Sequence, residues 1–104
     1  MTITTLNESN FRDEIKEGVV LVSIWAQWAR HSVNLNLSLE ELEEEFIGKA
    51  QIKKVNYDEC GKIVEVYAIK NLPTLFIFKN GEEVRRLEGG IPKEELKRLI
   101  RKYI

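Results

Sequence analysis

The sequence predicts an α/β domain with a mixed central sheet flanked by helices, its elements in the order β-α-β-α-β-α-β-β-α. Three observations carry this expectation. The runs VVLVSIWA (19–26) and TLFIF (74–78) are almost uninterrupted apolar and β-branched residues, the composition of strands buried on both faces. Helical patterns fall between the predicted strands, and a helix crossing from one strand to the next leaves those strands parallel. Towards the C-terminal end, Asn80-Gly81 separates TLFIF from EEVRRLEG. Both central positions of a tight hairpin turn require positive φ, which Asn and Gly tolerate, so these two strands are expected to pair antiparallel.

Taken in order, NESNFRDEIKEG (7–18) reads as a helix. Phe11 and Ile15 lie four apart, polar capping residues precede them, and Gly18 stands just beyond the end. The buried strand 19–26 follows. Residues 33–39, VNLNLSL, alternate apolar and polar with a strand period. The continuation SLEELEEEF is helical: Leu35, Leu39, Leu42 and Phe46 form one apolar stripe, and Ser38 and Glu41 stand at capping-box spacing. A helix with irregular first turns near Asn36 is therefore expected. AQIKKVNYD (50–58) reads as a strand and CGKIVEVYAI (60–69) as a short helix. PKEELKRLIRKYI starts with Pro92 at a first-turn position and places Leu96, Leu99, Ile100 and Tyr103 on one face.

With 104 residues and no repeats, low-complexity stretches or linkers, the chain is expected to form a single domain, 1–104. The 16 Lys and Arg against 17 Asp and Glu leave a net charge of −1. This argues against a nucleic-acid partner, which calls for a basic excess or stripe. No apolar run approaches the ~20 residues that span a bilayer. The polar opening MTITTLNESN does not read as a signal peptide. No membrane association is expected, and the cytoplasm is the expected compartment. The one cysteine, Cys60, excludes an internal disulfide and any multi-cysteine zinc or iron–sulfur site. Nothing in the sequence requires a cofactor or a metal.

The stretch WAQWARHS (25–32) lies where the strand passes into the next helix. Trp25 reads as a core residue, whereas Trp28 is either a contact platform or a structural cap. His31 and Ser32 are adjacent, but a hydrolytic dyad needs the base to reach the hydroxyl, an orienting acid and an oxyanion hole. Neighbours at a helix start rarely meet that geometry, so Ser32 is expected to cap backbone N–H groups instead. Arg30 and His31 read as a solvated pair, with contact to an anionic partner as the alternative. A single histidine gives no metal site.

Four pieces of the chain, in this order and spacing, resemble the thioredoxin family: VVLVSIWAQW, KKVNYDE, IKNLPTLFIFKNGEEV and EGG. The similarity covers essentially the whole chain and implies the thioredoxin fold. It also implies that the turn after the second tryptophan is the position of the family's Cys-Gly-Pro-Cys dithiol. Here those four residues are Ala29, Arg30, His31 and Ser32. Disulfide exchange needs an attacking thiolate and a second thiol to resolve the adduct; alanine and serine supply neither. By the same resemblance, Ser23 stands where the family has a buried aspartate, Leu37 where it has a helix-kinking proline, and Lys54 matches the lysine near that acid. Leu72, Pro73, Thr74, Gly89 and Gly90 match the family's peptide-binding edges, with Pro73 expected in the cis form.

The resemblance implies a binding surface made by Trp28, Arg30, His31, Leu72, Pro73 and Gly89, with Val33 and Leu37 extending its apolar part. Cys60 lies apart from this turn. It is expected to be a semi-exposed structural thiol, with a reactive thiol as the alternative. Two functions remain. One is a redox-inactive thioredoxin-fold module that binds a protein or an extended peptide. The other is a thioredoxin-type protein-disulfide oxidoreductase whose cysteines at positions 29 and 32 were substituted. The further departures at Ser23, Arg30, His31 and Leu37 favour the first, because replacing two cysteines alone leaves those positions untouched.

Overall fold

A computed structural model of the chain describes residues 3–104; Met1 and Thr2, the start of the polar opening, lie outside them. The elements are β1 (Thr4–Leu6), α1 (Phe11–Ile15), β2 (Val19–Trp25), α2 (Arg30–Asn34), α3 (Asn36–Glu45), β3 (Gln51–Asn56), α4 (Gly61–Val66), β4 (Thr74–Lys79), β5 (Glu82–Glu88) and α5 (Lys93–Tyr103). The five strands form one sheet in the order β1-β3-β2-β4-β5. β3 runs parallel to both β1 and β2, while β4 runs antiparallel to β2 and to β5. The mixed sheet flanked by helices is the thioredoxin fold that the sequence predicts.

β2 occupies the centre because its side chains suit burial on both faces. Val19 and Leu21 join a core with Leu35, Leu39, Leu42 and Phe46 of the α3 side and Leu96, Leu99 and Ile100 of α5. Val20, Val22 and Ile24 point the other way, into a second core with Phe11 and Ile15 of α1 and Cys60, Ile63 and Ile69 around α4. Phe76 and Phe78 of β4 complete that second core, where Phe11 and Tyr67 meet Phe78 edge-on. The period of two along the strand thus assigns alternate residues to opposite helical layers.

The hairpin forms as predicted: Asn80 and Gly81 both have positive φ, 52° and 85°. Asn80 does more than turn the chain. Its Oδ1 accepts from the Gly18 N–H at 2.9 Å, and its own N–H donates to the Gly18 carbonyl at 2.9 Å, tying the hairpin to the α1–β2 connection. The capping box expected at Ser38 and Glu41 does not form. Leu35 keeps helical dihedrals, its N–H donates to the His31 carbonyl, and its carbonyl accepts from Leu39. The helix therefore runs on from α2 with only an irregularity beside Asn36, and Ser38 has no free helix start to cap. Pro92 sits one position earlier than expected, in extended backbone just before α5.

Candidate functional site

The sheet register brings four chain segments to one end. Trp25 lies opposite Asn56 of β3, Ile24 opposite Thr74 of β4, and Thr74 opposite Glu88 of β5. The Tyr57 N–H donates to the Trp25 carbonyl at 2.8 Å, and the Gly89 N–H donates to the Pro73 carbonyl at 3.0 Å. The turn after β2, the loop after β3, the residues leading into β4 and those following β5 therefore meet at this edge.

Within the turn, Ser32 is fully buried. Its Oγ accepts from the Ala26 N–H at 3.2 Å and donates to the Ala29 carbonyl at 2.6 Å, with the Ala26 carbonyl 3.0 Å away as a second acceptor. The hydroxyl thus ties the turn to itself rather than capping its own helix start, as the sequence suggested. Its proton points to backbone carbonyls, and among the described residues His31 makes no bond to it, so no nucleophile–base pair exists here. Arg30 and His31 are exposed and enter no ion pair among the described residues.

Trp28 is 64% exposed. Its Nε1 donates to both carboxylate oxygens of Asp58, at 2.9 and 3.1 Å, and its ring meets Tyr57 edge-on at 5.8 Å. The indole is pinned at one edge while its face stays open. Asp58 and Tyr57 are site residues that the sequence reading missed as such. Their only signal was the polar NYDE where the predicted strand 50–58 gives out, and which side chain reaches Trp28 depends on the β2–β3 register.

Trp25 departs from expectation: it is half-buried rather than core, with Lys54 Nζ 5.0 Å from the ring centroid, a cation–π contact. Ser23 lies opposite Lys54 and Leu75 in the register, fully buried, and its Oγ has no hydrogen-bond partner. The position thus holds a neutral hydroxyl, and the lysine opposite lies over the neighbouring indole.

Arg30, Val33 and Leu37 follow at i, i+3 and i+7 along the continuous α2–α3 helix and share one exposed face; Leu37 is 67% exposed. Across the edge, the Leu72–Pro73 peptide is cis. Pro73 is buried, whereas Leu72 is half-buried. Among the described residues the Leu72 N–H and carbonyl enter no backbone hydrogen bond. Gly89 has φ +91° and its N–H is already taken by Pro73, so it shapes the edge without offering a donor.

Cys60 corrects the expectation of a semi-exposed thiol. It is 3% exposed, belongs to the α1–α4 core, and its Sγ faces the Leu6 carbonyl at 3.9 Å. Burial pushes its pKa up, and the carboxylates of Glu8 and Glu59 push it the same way. A reactive cysteine needs a stabilised, accessible thiolate, and this environment provides the reverse. Among the described residues no cluster of His, Cys, Asp or Glu is arranged to hold a metal ion, and no helix is long and apolar enough to cross a membrane.

The thioredoxin family model matches residues 2–102. This chain belongs to the thioredoxin family. Its relatives match over their full lengths and its own. A thioredoxin of Staphylococcus saprophyticus subsp. saprophyticus is 38% identical over 104 residues, one of Staphylococcus haemolyticus is 36% identical, and one of Staphylococcus aureus is 34% identical. In this thioredoxin-family chain, the turn between Trp28 and α2 carries no sulfur, and the one cysteine is packed in the opposite core.

Proposed function

We propose that this protein is a thioredoxin-fold binding module with no dithiol redox cycle, which holds a protein or an extended peptide against the edge formed by Trp28, Arg30, His31, Leu72 and the Val33–Leu37 face. One observation carries this reading: the turn that the resemblance marks as the family's dithiol holds Ala29 and a fully buried Ser32 whose hydroxyl is bonded to the backbone of Ala26 and Ala29, while Trp28 and Leu37 beside it remain open to solvent. The turn lacks the two thiols that exchange needs, and exposed apolar side chains stand beside it. An extended segment laid along Leu72 meets an unpaired N–H and carbonyl, the mode by which peptides add to strand edges, with apolar side chains across from it. The free, buried Cys60 needs no oxidising compartment, in keeping with a cytoplasmic protein.

The test is a titration of the full chain with an extended apolar peptide, followed by amide shifts. The expected outcome is a set of shifts confined to Trp28, Val33, Leu37 and Leu72, and weakened by at least about tenfold in Trp28→Ala, the size of an aromatic contact residue. Absence of any shift in this region overturns the proposal.

A second reading, an oxidoreductase whose cysteines at 29 and 32 were substituted, draws on the full-length similarity to proteins named thioredoxin. Cysteine codons at these two positions in the source gene would establish it.

A further inference from the structure

We propose that the β4–β5 hairpin tip carries a self-modification site: the side-chain amide of Asn80 is converted to a carboxylate by attack of the Gly81 backbone nitrogen, with water as co-reactant, and the grip of Gly18 on the tip holds this reaction back in the folded chain. The site stands at the far end of β4 from the binding edge and is independent of the function proposed above.

Of the seven asparagines in the chain, only Asn80 is followed by glycine. Each of the others precedes a residue with a large side chain, whose bulk hinders the approach of its backbone nitrogen to the asparagine amide. Asn80 and Gly81 are both exposed, so water and solvent base reach them. Among the described residues the Gly81 N–H enters no hydrogen bond, and neither does Asn80 Nδ2, the leaving nitrogen. In the reaction the Gly81 nitrogen gives its proton to solvent base and bonds to Asn80 Cγ. The Cγ–Nδ2 bond breaks, and Nδ2 takes up a proton and departs as ammonia, leaving a succinimide ring. Water then opens that ring. Opening at Cγ gives aspartate; opening at the Asn80 backbone carbonyl gives isoaspartate, whose main chain is longer by a methylene.

Ring closure needs rotation about the Cα–C and Cα–Cβ bonds of Asn80, and the fold opposes both. The Asn80 N–H donates to the Gly18 carbonyl, and Asn80 Oδ1 accepts from the Gly18 N–H, each at 2.9 Å. One residue thus grips the asparagine by its backbone and by its side chain. On either side of the turn Lys79 and Glu82 are paired. A Cβ on Gly81 would stand 3.5 Å from Lys16 Cα, so the tip lies close against the α1–β2 connection. The nitrogen therefore meets Cγ only when the tip lifts from Gly18, a local opening that leaves the sheet intact. Aspartate keeps an oxygen for the Gly18 N–H, whereas the longer main chain of isoaspartate does not fit a two-residue turn.

The experiment incubates the full chain at neutral pH, folded and in denaturant, and reads aspartate and isoaspartate at position 80 by peptide mapping, with the other asparagines as internal comparison. The unfolded chain is expected to convert at Asn80 ahead of every other asparagine. The folded chain is expected to convert at least about tenfold more slowly, a local opening cost of about 1.4 kcal/mol. Gly18→Ala adds a Cβ that meets nothing within 4 Å but strains a φ of +71°. It should speed both the conversion in the folded chain and the hydrogen exchange of the Asn80 N–H. Should that variant not fold, the natural chain in denaturant below its unfolding transition is expected to show the same joint rise. No preference for Asn80 in the unfolded chain overturns the site. Equal rates in the folded and unfolded chain, or faster Asn80 exchange with no faster conversion, overturns the hold by Gly18.

Discussion

Ser23 and Ser32 are both fully buried, and the two hydroxyls behave in opposite ways. Ser32 Oγ satisfies the buried Ala26 N–H and returns its own proton to the backbone. Ser23 Oγ has no partner, and burying a hydroxyl without a hydrogen bond costs about 1–3 kcal/mol. Ser23→Ala is therefore expected to leave stability unchanged or raise it by up to about 1 kcal/mol. Ser32→Ala should lose about 1–3 kcal/mol, since it strands the Ala26 N–H in the interior. Denaturant midpoints at an unchanged slope check both; a loss at Ser23 would show that its hydroxyl has a partner. The burial of Ser23 was legible, because it sits inside an uninterrupted apolar run. The bonding of Ser32 was not, because it depends on the chain folding back over six residues. The bond from Trp28 to Asp58 was hidden for a related reason: thirty residues separate the partners, and only the β2–β3 register brings them together.

Between elements, α3 and α5 are joined by charge as well as by Leu39, Leu42, Leu96 and Leu99. Glu45 meets Lys93 and Lys97, each at 3.3 Å, and Lys93 also meets Glu41 at 3.5 Å. Desolvation pushes the Glu45 pKa up, but the hydrogen bonds and charges of Lys93 and Lys97 outweigh it and hold the carboxyl below its usual range. The hydrogen bond to Glu45 leads the effects that raise Lys93. A carboxylate held low adds stability that is complete above its unfolded-state pKa near about 4.3 and is lost as pH falls through the lower folded-state value. A lysine held high adds stability that is complete below its unfolded-state range and is lost as pH rises through the raised value. Unfolding midpoints measured from neutral pH down to pH 3 should fall with acid in the natural chain and fall less steeply in Glu45→Gln. An unchanged acid slope would show that the cluster contributes nothing. The helices and strands themselves were readable from their periods, and the alternation at 33–39 correctly flagged the irregularity beside Asn36. The false capping box shows the limit: spacing marks where a cap would fit, and only the course of the preceding turn decides whether any N–H is left to cap.

Across the whole molecule, the sheet acts as a frame that presents four segments at one end. The alternation of strands and helices foretold the element order and the parallel pairing of β1, β2 and β3, but not the strand order, nor that β4 runs antiparallel to β2 although α4 lies between β3 and β4; the family follows from a model matching residues 2–102 and relatives up to 38% identical over the full chain. What the sequence could not supply was accessibility. Pro73 and Cys60 were both candidates for contact or reaction, and both are buried, because their positions relative to the two cores depend on how distant strands stack. The sulfur-free turn, the neutral Ser23 and the buried Cys60 lead to one expectation for the intact protein. With a dithiol reductant and a disulfide-bonded protein as substrate, the full chain is compared with reductant alone, and Cys60→Ser is run beside it. The expected result is no acceleration by either form; turnover above the reductant blank, above all turnover that persists in Cys60→Ser, would contradict it.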